Sequence, residues 1–132
     1  MELSLYHGTN VKNEELRNDN VFFSTCRNFA ADYGEVSKYT INVGEVFDST
    51  SQAHIEQLLC AINQLYDSYN EEYVATFEEF EEASNYLSDT WEVIENHLSS
   101  IYRLGYDSAL ITEGGIVNYV VRNGQKSFQL AG

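Results

Sequence analysis

Hydrophobic and polar positions alternate near both ends of the chain and follow a helical period between them. Near the start, the alternation predicts strands over residues 3–7, 21–24 and 37–47. Residues 28–34 predict a short helix that Gly34 ends. The first part of the chain is therefore expected to be rich in strands.

The middle of the chain, about residues 51–104, is predicted to be helical. Its first helix is indicated by apolar side chains at the spacing of one buried face: Ile55, Leu58, Leu59, Ile62 and Leu65. Thr76 and Glu79 have the spacing of a capping box, ahead of an acidic helix that carries Phe80 and Leu87.

A last helix is predicted to begin at an N-cap, Ser88, and to end before Gly105, a residue suited to a left-handed C-terminal position. Its apolar positions are expected to face inward: Trp91, Ile94, Leu98, Ile101 and Leu104.

Strands return after this helix, over residues 107–112, 116–122 and 127–130. Glycine-containing turns are expected at Gly114-Gly115 and Asn123-Gly124. Strands, then helices, then strands predict an α+β fold. The chain is expected to form one domain over residues 1–132, with the helical segment 51–104 inserted between two groups of strands.

Charge is distributed unevenly along the chain, whose formal net charge is −14. From Tyr39 to Tyr102 there is no Lys or Arg, whereas thirteen of the 21 acidic residues fall in this stretch. Such a surface repels a phosphate backbone, so direct binding of nucleic acid is not expected. It favours a protein partner with a basic surface, or it is simply a solvated helical face.

Membrane insertion, secretion and metal binding are not indicated by the sequence. No apolar run approaches the length of a membrane span, and the N-terminal residues lack the pattern of a secretory signal. A cytoplasmic protein is therefore expected. Cys26 and Cys60 are then expected to be free thiols, although they could pair. The histidines have no second ligand at helical spacing, so no metal site is predicted.

Candidate chemistry begins with Tyr6-His7-Gly8-Thr9, where a predicted strand reaches a histidine and a glycine turn is expected to follow. A second predicted strand, residues 21–24, ends in a serine, and Tyr33 lies on the short helix after it. Each feature also has a structural interpretation. His7 could be a hydrogen-bonded strand residue, Gly8 could serve only the turn, Ser24 could cap the next helix, and Tyr33 could be a packing residue.

The order of these features, followed by Asn118-Tyr119-Val120-Val121, resembles the ADP-ribosyltransferase family, in its HGT-type polymerase-like or diphtheria-toxin-like branch. The resemblance covers the two strand-rich zones and not the helical middle. It implies an ADP-ribosyltransferase-like split antiparallel β-sandwich. It also implies that NAD is the substrate, and that the bond between nicotinamide and ribose breaks through an oxocarbenium-like state.

The resemblance implies a role for several residues around the nicotinamide. The backbone of Gly8 would bind the carboxamide, Ser24 would support the same amide, and Tyr33 would stack on the ring. Phe22 occupies a position where the family often has a tyrosine and would keep its stacking face.

On the adenosine side, the resemblance implies that His7 donates a hydrogen bond to a ribose hydroxyl, with Thr9 nearby. The acid is displaced from its usual position in this pattern. A glutamate is expected immediately before the Tyr119 strand, but Asn118 stands there. We predict that Glu113, five residues earlier, is the catalytic acid, in a loop that the two following glycines let fold over the site. Alternatively, Asn118 is the site residue and the protein binds NAD weakly or without catalysis.

The displaced acid is most similar to that of phage-encoded anti-CRISPR ADP-ribosyltransferases that act on type I-F systems. Gly105-Tyr106 and the acid at Glu113 match their spacing. This resemblance implies mono-ADP-ribosylation of a protein side chain, with a Cas8-type subunit that reads the PAM as one candidate target. The acidic middle of the chain would dock on that target's DNA-binding surface.

Two other functions compete with this prediction. A non-catalytic acidic inhibitor that mimics DNA would use the same charge distribution without NAD. An RNA 2′-phosphotransferase shares the HGT-type fold, but the seven Lys and Arg residues are few for an enzyme that holds phosphorylated RNA.

Overall fold

The computed structural model describes residues 2–9, 20–62, 65–67, 72–122 and 128–130. Its strands are β1 (Glu2–Thr9), β2 (Asn20–Ser24), β3 (Glu35–Asn42), β4 (Val46–Asp48), β5 (Leu65–Asp67), β6 (Glu72–Val74), β7 (Ser108–Glu113), β8 (Ile116–Arg122) and β9 (Phe128–Leu130). Its α-helices are α1 (Arg27–Ala31), α2 (Gln52–Ile62), α3 (Phe77–Ala83), α4 (Trp91–Ile94) and α5 (Leu98–Arg103). One turn of 3₁₀-helix, Glu95–His97, joins α4 to α5.

The described strands form a seven-stranded sheet in the order β4-β7-β8-β2-β1-β3-β9, and β5 and β6 form a separate two-stranded ribbon. The helices follow the first strands and precede β7 and β8, so the predicted α+β class is confirmed. Every neighbouring pair in the sheet is antiparallel except β4 and β7, which run parallel. This parallel pair departs from the split antiparallel β-sandwich that the resemblance implies.

The junction between β1 and β2 is the weakest pairing in the sheet. β1 pairs with β3 along all eight of its residues, and β2 pairs with β8 along all five of its own. Between β1 and β2, the described residues form one opposed pair, Tyr6 and Ser24. The sheet is therefore two well-paired halves that meet at a short junction.

The two faces of the sheet carry separate hydrophobic cores. Alternate residues of β2 divide between them: Val21 and Phe23 belong to one core, whereas Phe22 packs against the other. The core that includes Phe22 lies under the helices and contains the buried residues of α2, α3, α4 and α5. The helices therefore cover the face of the sheet that presents Phe22.

Two local predictions are confirmed, the cap at Thr76 and the free state of the two cysteines. Thr76 caps α3, because its Oγ1 accepts a hydrogen bond from the Glu79 amide at 3.2 Å, and Phe80 is fully buried. Cys26 and Cys60 are free thiols. None of the described helices combines the length and hydrophobicity that a membrane span requires.

Other boundaries differ from the prediction. α2 ends at Ile62, and Leu65 lies in β5 instead of on the helix face. α3 ends at Ala83, so Leu87 lies outside it, and the last helix begins after Thr90 and is broken by the 3₁₀ turn. The predicted strand over residues 37–47 is two strands, β3 and β4. The predicted Asn123-Gly124 turn lies outside the described residues.

Candidate functional site

A cavity of about 320 Å³ opens at the β1–β2 junction. Of the eight residues that the sequence predicts for a site, seven line it: His7, Gly8, Phe22, Ser24, Tyr33, Glu113 and Asn118. Thr9, the eighth, ends β1 opposite Glu35, and its side chain lies outside the described part of the chain. Small-molecule sites commonly have this size or larger, so the cavity is a candidate ligand pocket.

Gly8 brings helix α1 against strand β1. It lies within β1, opposite Val36, and the prediction of a turn directly after His7 is therefore wrong. A Cβ atom at this position would lie 1.8 Å from the carbonyl oxygen of Ala30 in α1. Only glycine allows this close approach, which sets Tyr33 beside the pocket just after the end of α1.

His7 bridges the two halves of the sheet. Its ring is buried, and Nδ1 lies 2.7 Å from the carbonyl oxygen of Phe22 across the junction. Because a carbonyl oxygen only accepts, Nδ1 donates this hydrogen bond. In the neutral ring, Nε2 is then an acceptor, whereas the sequence-based prediction assigned His7 a donor role toward ribose. The ring also contacts Phe23 and Tyr39, which fix its orientation.

Glu113 and Asn118 form one hydrogen-bonded pair on the helix-covered face of the sheet. Asn118 is fully buried in β8, and its Nδ2 donates to Glu113 Oε1 at 3.4 Å. Asn118 Oδ1 is also buried, and no donor among the described residues reaches it. The pair therefore offers a ligand one carboxylate and one amide acceptor. The sequence offered Glu113 and Asn118 as alternatives for the site residue, and both line the pocket and contact each other.

Burial raises the pKa of the Glu113 carboxyl. The hydrogen bond from Asn118 opposes this effect, and the negative charges of Asp89, Glu92 and Glu95 add to it. These three acids thus add negative electrostatic potential at the Glu113 carboxylate. A positive charge that develops next to Glu113 would be stabilised by the same potential.

The β7–β8 turn is tight and is held in place from outside. Glu113 is the last residue of β7 and pairs with Ile116, so the prediction that it lies in a loop over the site is wrong. Gly114 and Gly115 have φ values of 55° and 77°, which favour glycine in a two-residue turn. Their amides donate to Asp89 Oδ1 at 2.7 Å and to the Ser88 carbonyl oxygen at 2.9 Å.

Aromatic side chains form the walls of the pocket. Tyr33 is 52% exposed and its ring centroid lies 5.8 Å from that of Phe29. Burial raises the pKa of Tyr33, and the negative charge of Glu113 adds to this effect. Phe22 meets Trp91 edge to face, with 4.6 Å between ring centroids. The Tyr33 ring is thus largely open to solvent, whereas Phe22 and Trp91 form a half-buried aromatic pair.

Ser24 is buried next to the Glu113–Asn118 pair. It lies opposite Asn118 in the β2–β8 ladder, and its Oγ accepts a hydrogen bond from the Cys26 amide at 3.0 Å. Because that bond uses an oxygen lone pair, the hydroxyl proton is available to donate. The N-cap residue of α1 is Cys26, so Ser24 supports the helix entry without being its N-cap.

Seven residues that the sequence-based prediction did not assign to the site also line the pocket: Tyr6, Asn20, Val21, Phe23, Phe29, Ala30 and Trp91. Trp91 was predicted as an inward helix residue, but it is half-buried and begins α4 at the pocket wall. Tyr6 directly precedes His7, so its place in the pocket lining was predictable from the motif. Asn20 accepts a hydrogen bond from the Tyr102 hydroxyl at 2.6 Å, a contact across 82 positions that no local pattern indicates.

The combined lining is suited to a planar ligand that carries an amide and a positive charge. It supplies aromatic faces, a hydroxyl donor, an amide acceptor and a carboxylate. Among the described residues, no group of three or more His, Cys, Asp or Glu side chains could hold a metal ion.

Comparison with known proteins gives one informative likeness. No family model matches the chain, and no curated protein matches it significantly. A solved structure described as "Crystal structure of an anti-CRISPR protein" is similar in fold, with a TM-score of 0.59 and 17% sequence identity. The alignment covers 99% of this chain and 96% of the other. At this identity, the likeness shows a shared fold over nearly the whole length of both chains.

Proposed function

We propose that this chain is a NAD-dependent mono-ADP-ribosyltransferase that modifies a side chain of another protein. The observation that carries the proposal is the convergence of seven predicted NAD-site residues on one pocket. These residues come from five elements or their ends and are separated by as many as 111 positions, from His7 to Asn118. The proposal includes the ADP-ribosyltransferase-like split fold, in which the short β1–β2 junction would be the split.

The polar groups of the pocket fit NAD as a substrate. Asn118 Oδ1 is a buried acceptor that no described donor reaches, and the carboxamide N–H group of nicotinamide or a ribose hydroxyl would satisfy it. The Ser24 hydroxyl can donate to the carboxamide oxygen. Tyr33, Phe22 and Trp91 supply aromatic surface for the ring. In this arrangement His7 accepts a hydrogen bond from a ribose hydroxyl through Nε2.

Glu113 provides the charge that the reaction needs. When the bond between nicotinamide and ribose breaks, nicotinamide leaves with the electron pair and positive charge develops at the ribose carbon. The Glu113 carboxylate stabilises that charge electrostatically, in a site from which water is partly excluded. A nucleophilic side chain of the target then bonds to the same carbon and loses its proton.

The setting we propose is inhibition of CRISPR defence. This rests on the fold shared with a solved anti-CRISPR protein and on the charge of the chain. Seven of the acids between Tyr39 and Tyr102 lie between Phe77 and Glu95, and three of them, Asp89, Glu92 and Glu95, raise the pKa of Glu113 in the pocket. Such a surface complements a DNA-binding surface, and a Cas8-type subunit that reads the PAM is one candidate target.

Intact-mass measurement tests the proposal. Purified type I-F surveillance complex is incubated with NAD and the protein, and each subunit is weighed. We expect one subunit to gain a single ADP-ribose. Glu113→Gln keeps the shape of the side chain and should abolish the adduct, whereas Glu78→Gln, which changes an exposed acid of α3, should not. Equal modification by Glu113→Gln and the unmodified chain would overturn the assignment of the acid.

A second candidate function is supported by the charge alone. Across 64 residues without Lys or Arg, the chain could bind a DNA-binding surface as a non-catalytic mimic. Such binding would not require NAD and would weaken steeply with salt. Four acids of α3 separate the two functions, and neutralising Glu78, Glu79, Glu81 and Glu82 together should abolish mimicry. Under the ADP-ribosyltransferase proposal, His7→Ala is the more damaging change.

A further inference from the structure

Beyond the end of β4, a side chain instead of a strand forms the hydrogen bond at the outer edge of β7. Parallel pairing with β4 ends at Asp48 opposite Leu110, and the Ser49 amide then donates to the Leu110 carbonyl oxygen at 3.1 Å. Two residues further along β7, the amide of Thr112 donates to Thr90 Oγ1 at 2.9 Å. A buried amide at a strand edge needs such a partner, because leaving it unsatisfied is costly.

The bond is reciprocated, so Thr90 and Thr112 form a closed pair. The amide of Thr90 donates to Thr112 Oγ1 at 3.0 Å. The Thr112 hydroxyl donates to the Leu87 carbonyl oxygen at 2.7 Å. The hydroxyl groups of Thr90 and Ser49 form a hydrogen bond with each other at 2.6 Å. All three hydroxyl residues are buried, with exposures of 0% for Ser49, 0% for Thr90 and 5% for Thr112. Every hydroxyl in the group therefore has a protein partner.

The pair stands between two walls of the pocket. Trp91 directly follows Thr90, and Glu113 directly follows Thr112. Two reciprocal bonds thus fix the two peptide segments from which the aromatic wall and the carboxylate project.

Further bonds tie the same segments together. Gly114 and Gly115, just after Glu113, bond to Asp89 and Ser88, just before Thr90. The segment reaches this position through three successive left-handed residues, Asn85, Tyr86 and Leu87, with φ values of 51°, 53° and 71°. Non-glycine residues in this conformation are strained and persist only where surrounding contacts hold them.

We infer that Thr90 and Thr112 are a positioning pair that sets Trp91 and Glu113 relative to each other across the pocket. The inference rests on the proposed function for its catalytic consequence. Neither threonine lines the pocket, so neither contacts a ligand there. Each threonine acts through the residue that follows it, Trp91 after Thr90 and Glu113 after Thr112.

The test compares Thr112→Val, which keeps the shape and removes the hydroxyl, with Thr112→Ser, which keeps the hydroxyl. Thr40→Val, in β3, is the matched control for a Thr→Val change in a strand. Trp91 is the single tryptophan, so its emission and its quenching by acrylamide report directly on the pocket wall. Circular dichroism checks the fold, and NAD hydrolysis gives kcat and KM.

We expect Thr112→Val to shift the Trp91 emission and to make Trp91 more accessible to acrylamide. Its kcat should fall by about 10–100-fold, as misplacement of catalytic groups produces, with a smaller change in KM. Thr112→Ser and Thr40→Val should behave like the unmodified chain in both measurements. A folded Thr112→Val protein with unchanged emission and unchanged kcat would overturn the inference. Equal losses in the Val and Ser variants would also overturn it, because they would assign the effect to packing.

If Thr112→Val does not fold, Thr90→Val provides the decision. This change removes the hydroxyl oxygen that accepts the Thr112 amide and should shift Trp91 emission in the same direction. Unchanged emission and kcat in that variant contradict the inference. If the unmodified chain does not hydrolyse NAD, the proposed function fails, and the Trp91 emission still tests whether the pair holds the wall of the pocket.

Discussion

Replacing Gly8 with alanine would put a methyl group into the space that the Ala30 carbonyl group occupies. The added carbon would lie 1.8 Å from Ala30 O and 2.8 Å from its carbonyl carbon. Both are backbone atoms, so no side-chain rotation relieves the contact, and α1 must move away from β1 by more than about 1 Å. Because Tyr33 follows α1, the mouth of the pocket would move with it.

The energetic effect is the difference between two terms. Overpacking costs about 1–3 kcal/mol. Alanine regains about 0.4–1 kcal/mol by restricting the unfolded chain. We therefore expect a net loss of about 1–2 kcal/mol in the free energy of unfolding, or roughly 3–8 °C in Tm. Urea unfolding followed by circular dichroism measures the first quantity, and NAD titration followed by Trp91 emission measures the loss of affinity.

Gly44→Ala is the matched control. A Cβ at Gly44 would lie 3.1 Å from Asp107 Oδ2, a side-chain atom that needs to shift by only a few tenths of an ångström. This variant should be nearly as stable as the unmodified chain and should bind NAD normally. A Gly8→Ala protein with the stability and NAD affinity of Gly44→Ala would refute the account of how α1 is seated on β1.

Four further predictions concern the acid, its hydrogen-bond partner Asn118, the exposed aromatic ring and a helix cap. Burial raises the pKa of Glu113 in the folded chain, so the stability of the fold decreases as the pH rises through this pKa. Glu113→Gln carries no charge at this position. It should therefore lose activity and be at least as stable as the unmodified chain at neutral pH. The acid limb of the NAD hydrolysis profile should move to higher pH in Asn118→Ala, which loses the hydrogen bond that lowers the same pKa. Tyr33→Phe should keep NAD affinity in a fluorescence titration, and Tyr33→Ala should lose about 3–10-fold, equivalent to about 0.5–1.5 kcal/mol of stacking. Thr76→Ala should lower the free energy of unfolding by about 1 kcal/mol in urea, without changing kcat.

The outcomes that contradict these predictions are equally specific. A less stable Glu113→Gln protein at neutral pH would show that the carboxylate supports the fold. An acid limb that stays in place in Asn118→Ala would separate Asn118 from the titration of Glu113. Equal NAD affinity in both Tyr33 variants would exclude stacking of the ligand on the Tyr33 ring. An unchanged unfolding midpoint for Thr76→Ala would show that the Thr76 side chain does not stabilise α3.

Local pattern was sufficient for much of the fold. Alternation identified the strands around His7 and Asn118, because side chains two positions apart, such as Leu5 and His7 or Asn118 and Val120, are buried on the same face of the sheet. The Thr76 cap was predictable from its spacing to Glu79, since both partners lie within one turn of helix. Such features depend on residues that are close in sequence.

What the sequence did not reveal depends on contacts between distant segments. Gly8 was assigned to a turn because its backbone freedom is visible locally, whereas the carbonyl of Ala30 that requires it is not. Trp91 follows a helical pattern, but the bond between Thr90 and Thr112 sets it at the pocket. The three left-handed residues before Trp91 include no glycine, and only Asn85 is of a residue type that favours a turn.

Release of nicotinamide from NAD, measured for the unmodified chain and for Glu113→Gln under identical conditions, tests the central claim most directly. The account predicts steady release by the unmodified chain and loss of release in Glu113→Gln, with NAD still quenching Trp91 in both proteins. Absence of both quenching and release in the folded, unmodified chain would contradict the account and leave the acidic, non-catalytic inhibitor as the function to pursue.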